Sequence, residues 1–360
     1  MIMNIPAILW IILLPLASSP FIYLIGRLGY ADDQTSQSMN ASRWASLIVL
    51  LGTLVPFFRT YNAIRINGPQ VFTMGMVSLQ IDGLSLLLAA IALSLGIMVV
   101  LFSGPYLSGE DGEEKFYALL TAMIGAMIGL VCAADLFNLW VWFETMAIAS
   151  YALVAFYRKQ PGALEAGVKY LVQSATGSVL VVLGIILVFG QMGTLNLDQL
   201  RASVTPSPVL LAAGALFIIG FGVKAALVPL HTWLPDAHSQ APSGISAMLS
   251  GVVIEAGLLA MLRTVGALAG VTSMWGFLLM GFGAVNMLFG NLMALRQQQV
   301  KRLLAYSSLV NVGYMLVGIG IGVAYHQVNG TQGGLFHLFN HGLMKGLAFL
   351  AVGTLLYVLY

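Results

Sequence analysis

The sequence predicts an all-α polytopic membrane protein, and two observations carry the prediction. Of 360 residues, 59% are hydrophobic and only 8% are charged, with a mean hydropathy of +0.93; no soluble domain of this size has that balance. Apolar segments of helical length also recur from end to end, joined by short polar links that leave no room for a separate soluble domain.

Taken in order, the apolar segments lie at about 5–26, 43–58, 83–107, 116–134, 136–157, 164–190, 208–228, 243–265, 272–295, 302–324 and 334–358, which makes about eleven crossings. The first has no basic n-region and no small-residue cleavage site, so it is expected to be retained as a helix. The links 27–43, 59–82 and 109–115 are polar and are expected to be loops. Asp82 opens the third segment, IDGLSLLL, where an aspartate satisfies free backbone N–H groups and the helix dipole. The seventh ends at Lys224. Pro229, His231, Pro235, Asp236, His238 and Pro242 follow within KAALVPLHTWLPDAHSQAP. Prolines at membrane depth remove helix hydrogen bonds, and the freed backbone groups need protein or water. A broken helix beside a buried base therefore predicts an ion path; the alternative is a helix end with a snorkelling lysine. The tenth segment opens with Lys301 and Arg302, read as cytoplasmic anchors, and carries Ser307, Ser308 and Asn311 as hydrogen-bonding groups within the bundle. The last stops at Leu355–Tyr360 inside an apolar run, so either the protein is truncated there or a partner covers the final helix.

The Lys/Arg bias sets the expected orientation. Links after odd-numbered segments hold Arg27, Arg43, Lys115, Arg158, Lys159, Arg296, Lys301 and Arg302; those after even-numbered ones hold Arg59, Arg65, Arg201 and Arg263. The heavier set belongs in the cytoplasm, which puts the N-terminus outside. A formal charge of +2 gives no argument for nucleic acid. Cys132 is the single cysteine, so disulfides, CxxC metal sites and iron–sulfur ligation are excluded for this chain. There is no phosphate loop of Walker or Rossmann type.

Ionisable residues inside apolar segments are functional candidates. Glu144, in DLFNLWVWFETMAIASYALVAFY, has apolar neighbours for a turn on both sides, and burial penalises its charged form unless a cation pairs with it. A structural carboxylate held by a Trp or Tyr donor is the alternative. Lys169 lies four residues after Glu165, so a helix-surface ion pair competes with a functional role. A pairing of Glu144 with Lys169 or Lys224 across helices is the sharper expectation, because a proton moving on or off the lysine changes the field at Glu144. Glu255, in MLSGVVIEAGLLAMLR, is a second apolar-flanked carrier candidate. His337, His341 and Lys345 follow at a spacing of four and share one helix face. Histidine is the natural relay group, although a polar packing seam is the alternative. The two histidines also match half a metal site, but no carboxylate or thiol completes it nearby in sequence.

Three long stretches in order, FGVKAALVPLHTWLPDAHSQAPSGISAMLSG, QVKRLLAYSSLVNVGYMLVG and HLFNHGLMKGLAFL, together with IDGLSLLL and the WFE around Glu144, resemble the antiporter-like subunits of respiratory complex I, of membrane-bound hydrogenases and of Mrp-type Na+/H+ antiporters. The resemblance spans roughly 80–357. It implies inverted five-helix repeats with a broken seventh helix: N-terminal helices in 1–107, a first repeat in 108–266 and an incomplete second repeat in 267–360. It implies that Glu144 and Lys224 are the central proton-carrying pair, with Lys169, His337, His341 and Lys345 on a hydrated axis and Glu255 as a further relay group. It implies a subunit of a complex I-like, NADH:quinone-type redox-driven pump in the cell's inner (plasma) membrane, working beside other membrane subunits, with no cofactor, flavin, iron–sulfur or quinone chemistry in this chain. An Mrp-type or hydrogenase-type subunit is one alternative, and a non-pumping structural subunit is another. Three departures stand out. Glu255 occupies a position where many members carry lysine, which would let it pair with Lys224. Gln299 and Asn311 replace residues common around KRLLAYSS. The final helices of the usual fourteen-helix fold are missing.

Overall fold

A computed structural model describes residues 6–30, 35–75, 77–108 and 110–359. The chain forms α1 (Ala7–Tyr30), α2 (Thr35–Asn67), β1 (Gln70–Met74), β2 (Val77–Ile81), α3 (Gly83–Tyr106), α4 (Glu113–Cys132), α5 (Leu136–Val154), α6 (Pro161–Met192), α7 (Leu197–Ser203), α8 (Pro208–Lys224), α9 (Trp233–Gln240), α10 (Ser243–Met248), α11 (Ile254–Ala267), α12 (Trp275–Ala294), α13 (Val300–Ala324) and α14 (Val328–Leu359). Among the described residues, 10 helical segments are long and apolar enough to cross a membrane, and α8 adds a shorter apolar helix. Each of the eleven predicted segments coincides with one of these, so the chain is a nearly all-helical, multi-pass membrane protein.

The most enclosed segments are α4 and the stretch from α10 to α11, and the other helices pack around them. Close approach is achieved through glycine, as membrane helices require where no hydrophobic driving force acts between them. On α12, Gly276 and Gly283 face Gly320 and Gly313 of α13; a Cβ on Gly283 would lie 2.8 Å from the Gly313 carbonyl, so any side chain would push the helices apart.

The predicted link 59–82 is not a loop. Residues 59–67 continue α2 as helix, because nothing in RTYNAIRIN breaks it until Gly68, at φ 78°, and Pro69 end it. Residues 70–81 then form an antiparallel hairpin with Met74 opposite Val77 and Gln70 opposite Ile81. The hairpin docks on the link between α4 and α5: Ala134 N donates to Ser78 O at 2.9 Å, and Asp135 accepts from Ser78 N at 2.9 Å. The short helix α7 was also unforeseen. Asn196 caps it, accepting from Asp198 N and Gln199 N. Of the predicted 27–43 link, residues 31–34 lie outside the described residues, and α2 begins at Thr35.

The broken helix is present. α8 ends at Lys224, residues 225–232 run as turns with Ala226 at φ 56°, and α9 resumes at Trp233. The freed backbone groups are satisfied by one polar side chain. Asn286, fully buried on α12, accepts from Val228 N at 2.8 Å and donates to Ala226 O at 3.2 Å. Trp233 Nε1 donates to Val223 O at 2.7 Å across the gap. These contacts fix the break as a rigid feature.

Candidate functional site

The break holds the Lys224 ammonium in an enclosed pocket, with only 1% of the residue exposed. Nζ donates to Tyr170 Oη at 2.8 Å and to Ser174 Oγ at 3.2 Å, both from α6. It also lies 4.3 Å from the centroid of the Tyr170 ring and 5.6 Å from that of Phe143. Tyr170 is held in turn by Ser150, which donates to its hydroxyl at 3.0 Å, and by Trp233, stacked on it at 3.9 Å. Among the described residues no carboxylate pairs directly with Lys224, yet the charge of Glu144, on α5, acts on it from a distance. Glu144 is half-buried, and its Oε1 has no hydrogen-bond partner among the described residues. Of the two lysines expected near Glu144, the structure thus brings Lys224 within electrostatic reach.

Glu255 forms a second centre and does not pair with Lys224. Glu255 Oε1 lies 3.0 Å from His341 Nδ1, and both side chains are fully buried. The stem of Lys224 instead packs on Gly257, two residues further along α11. Just before Glu255 the helix widens into a π-turn, Leu249–Val253, a deformation frequent at functional sites. Within it Ser250 hydrogen-bonds Ser308 at 2.6 Å, as the bundle role of Ser308 anticipated. Sequence spacing offered His341 no carboxylate; the fold supplies one. Even so, no group of three or more metal-type ligands occurs among the described residues.

His337, His341 and Lys345 lie along one face of α14. His337 Nε2 is 2.9 Å from Asn311 Oδ1, and Lys345 donates to Leu304 O at 3.1 Å, so α13 partners both ends of this run. Lys345 is buried and has a carbonyl as its partner. His238 was not singled out as a candidate. It is fully buried, stacked on Phe349 at 4.6 Å, and neither ring nitrogen has a hydrogen-bond partner among the described residues. The charges of Lys301 and Lys345 both reach it.

Lys169 lies apart from this interior series. It pairs with Glu165 at 2.7 Å, as the spacing predicted, and with Asp236 at 3.1 Å, and its side chain is 47% exposed. Asp236 also takes Arg302, so acids and bases alternate from α6 through α9 to α13. Lys301 is therefore not a solvent-facing anchor, whereas Arg302, its side chain 37% exposed, stays at the rim. Lys301 is buried and donates to Ala241 O at the end of α9, because α13 starts against the broken helix. Asp82 caps α3 as expected, accepting from Ser85 N at 2.8 Å, and it also pairs with Arg263 at 3.2 Å.

Known proteins share this sequence family and this fold. The family profile "NADH:quinone oxidoreductase/Mrp antiporter, TM" matches residues 133–358. Hydrogenase-4 component B of Escherichia coli is 35% identical over 300 residues, covering 79% of this chain and 44% of that protein. NADH-quinone oxidoreductase subunit N of Desulforudis audaxviator is 34% identical over 285 residues, covering 77% of this chain and 56% of the relative. F(420)H(2) dehydrogenase subunit N of Methanosarcina mazei is 33% identical over 321 residues, covering 87% and 64%. The chain thus spans about half to two thirds of the length of these curated relatives. Among solved structures, a chain of the membrane-bound sulfane sulfur reductase, an archaeal respiratory membrane complex, superposes with a TM-score of 0.88 at 29% identity, covering 97% of this chain and 71% of that one. A chain of respiratory complex I from Thermus thermophilus superposes with a TM-score of 0.72 at 26% identity, covering 93% and 69%. The chain belongs to the NADH:quinone oxidoreductase/Mrp antiporter transmembrane family.

Proposed function

We propose that the chain is a proton-translocating membrane subunit of a redox-driven complex, with Glu144 and Lys224 as the central pair and Glu255, His341, Lys345 and His337 as relay groups. One observation carries the reading. Lys224 is enclosed among hydroxyls that suit it in either protonation state. Tyr170 and Ser174 accept from an ammonium and can donate to a neutral amine, so a proton can leave without orphaning a buried group. Loading or unloading Lys224 changes the field at Glu144, which couples the two. At the second centre a proton can shift along the hydrogen bond between His341 and Glu255 while the pair's total charge stays constant. Lys169, tied to two carboxylates at the rim, stands beside the path and keeps its proton.

The names of the relatives favour a place beside other membrane subunits, since several are subunits of named complexes. The chemistry of the redox partner lies in those subunits, and no cofactor is assigned to this chain. The Lys/Arg bias supports an N-terminus outside the plasma membrane. A Na+/H+ antiporter subunit is the second reading, favoured by subunit A1 of that name from Staphylococcus haemolyticus, 32% identical over 289 residues. The test is proton transport by the reconstituted, intact complex with Glu144→Gln at unchanged electron transfer. Transport should fall while assembly stays normal. Wild-type protons per electron would overturn the assignment of Glu144. Transport that follows external Na+ would favour the second reading.

A further inference from the structure

The end of the bundle that carries the hairpin holds an open crevice of about 540 Å3, apart from the Glu144–Lys224–Glu255 series. Its volume lies within the ~300–1,000 Å3 of ligand pockets. The crevice is amphipathic by depth. Leu262 of α11, Val323 of α13 and Leu335 of α14 line it with partly exposed apolar side chains inside membrane-spanning helices. Arg201, His326 and Ser273 line it with exposed polar side chains at the level of the links.

The charges at this mouth differ in their commitments. Arg263 is committed: its guanidinium donates to Asp82, to Ser85 Oγ at 2.7 Å and to Ala133 O at 3.1 Å. Arg201 is not. Its one acidic contact is Asp198 at 3.9 Å, beyond hydrogen-bond length, and its side chain is 60% exposed. It lies over Gly266, where an added Cβ would meet its Nη2 at 3.8 Å, an ordinary contact, so the guanidinium sits against α11 at the mouth. His326, at φ 54° in the turn between α13 and α14, is exposed on the same crevice.

We infer that this crevice binds one glycerophospholipid, with an acyl chain against Leu262, Val323 and Leu335 and an anionic headgroup phosphate on Arg201 and His326. Apolar depth at bilayer level under uncommitted donors at headgroup level fits a membrane lipid. A free phosphate would leave the apolar part unfilled. This assignment does not depend on the proposed transport.

The test is native mass spectrometry of the purified protein with its partner subunits, titrated with phosphatidylglycerol, phosphatidylcholine or inorganic phosphate. Wild type should retain phosphatidylglycerol in preference to phosphatidylcholine. Arg201→Gln should weaken that binding about fivefold, the worth of one arginine near an anionic headgroup. Leu335→Asn, on the apolar wall, should weaken both lipids alike, while Arg65→Gln, an exposed arginine away from the crevice, should change neither. Binding unchanged in both Arg201→Gln and Leu335→Asn would overturn the site. So would displacement of phosphatidylglycerol by inorganic phosphate at equal concentration, which would leave an anion site without a lipid.

Discussion

The cations of the interior and those of the rim are held by opposite kinds of partner. Inside, Lys224 rests on two hydroxyls, Lys301 on the Ala241 carbonyl and Lys345 on the Leu304 carbonyl. At the rim, Lys169 rests on Glu165 and Asp236, Arg302 on Asp236, Arg263 on Asp82, and Lys159 on Asp111. The difference has a physical meaning. A hydroxyl or carbonyl bonds a lysine whether or not it carries the extra proton, so the interior lysines can change charge without stranding a neighbour. A carboxylate partner locks the charge in, because a neutral lysine would leave an unpaired anion behind. Under the proposed function, the interior serves changing charge and the rim fixes helices in place. Among the described residues, Glu255 with His341 is the one interior pair joined directly, and there the proton can be shared within the pair.

Four substitutions sharpen this contrast, from the largest expected effect to the smallest. His341→Leu leaves the Glu255 carboxyl buried without a partner and should cost about 1–3 kcal/mol in detergent unfolding. Adding Glu255→Leu should recover most of that loss, because the orphaned group is gone. A double variant no more stable than the single one would show that the pair is not the unit. Tyr170→Phe removes one of two hydroxyls from Lys224 and should cost roughly 1–2 kcal/mol, with transport slowed rather than abolished. Unchanged transport would mean that Ser174 alone suffices. Arg263→Met breaks the pair with Asp82, which is partly solvated, and should cost about 1 kcal/mol, read as a lower unfolding midpoint. At the exposed extreme, Asp111→Asn should leave unfolding unchanged at neutral pH. The Lys159 ammonium holds the Asp111 carboxyl below its usual range, so any contribution is present above about pH 4 and disappears as pH falls further. A destabilisation that grew as pH fell below about 4 would contradict that sign.

Much of this was legible in the sequence, and the exceptions share a cause. Hydropathy located every membrane segment, and prolines 229, 235 and 242 marked the break, because both signals are local. The ion pair of Lys169 with Glu165 was legible for the same reason. What escaped depends on contacts far apart in the chain. Arg263 meets Asp82 across 181 positions, and Glu255 meets His341 across 86, so neither acid announced its partner. Asn286, which repairs the broken helix, reads in sequence as a lone polar residue in an apolar run. Lys301 and Arg302 looked like anchors because they begin a helix, but that helix begins against the end of α9. The hairpin at 70–81 alternates weakly and looked like a loop; its turn at Gly75, φ 61°, was the available signal.

The most direct test sets one cation of each kind against the other. Protons translocated per electron should be measured in the same reconstituted complex carrying Lys224→Met or Lys169→Gln. The account predicts that Lys224→Met loses translocation while Lys169→Gln retains nearly all of it, with both complexes fully assembled. Loss of translocation in Lys169→Gln with retention in Lys224→Met would contradict it, because the carboxylate-bound rim would then be carrying the protons.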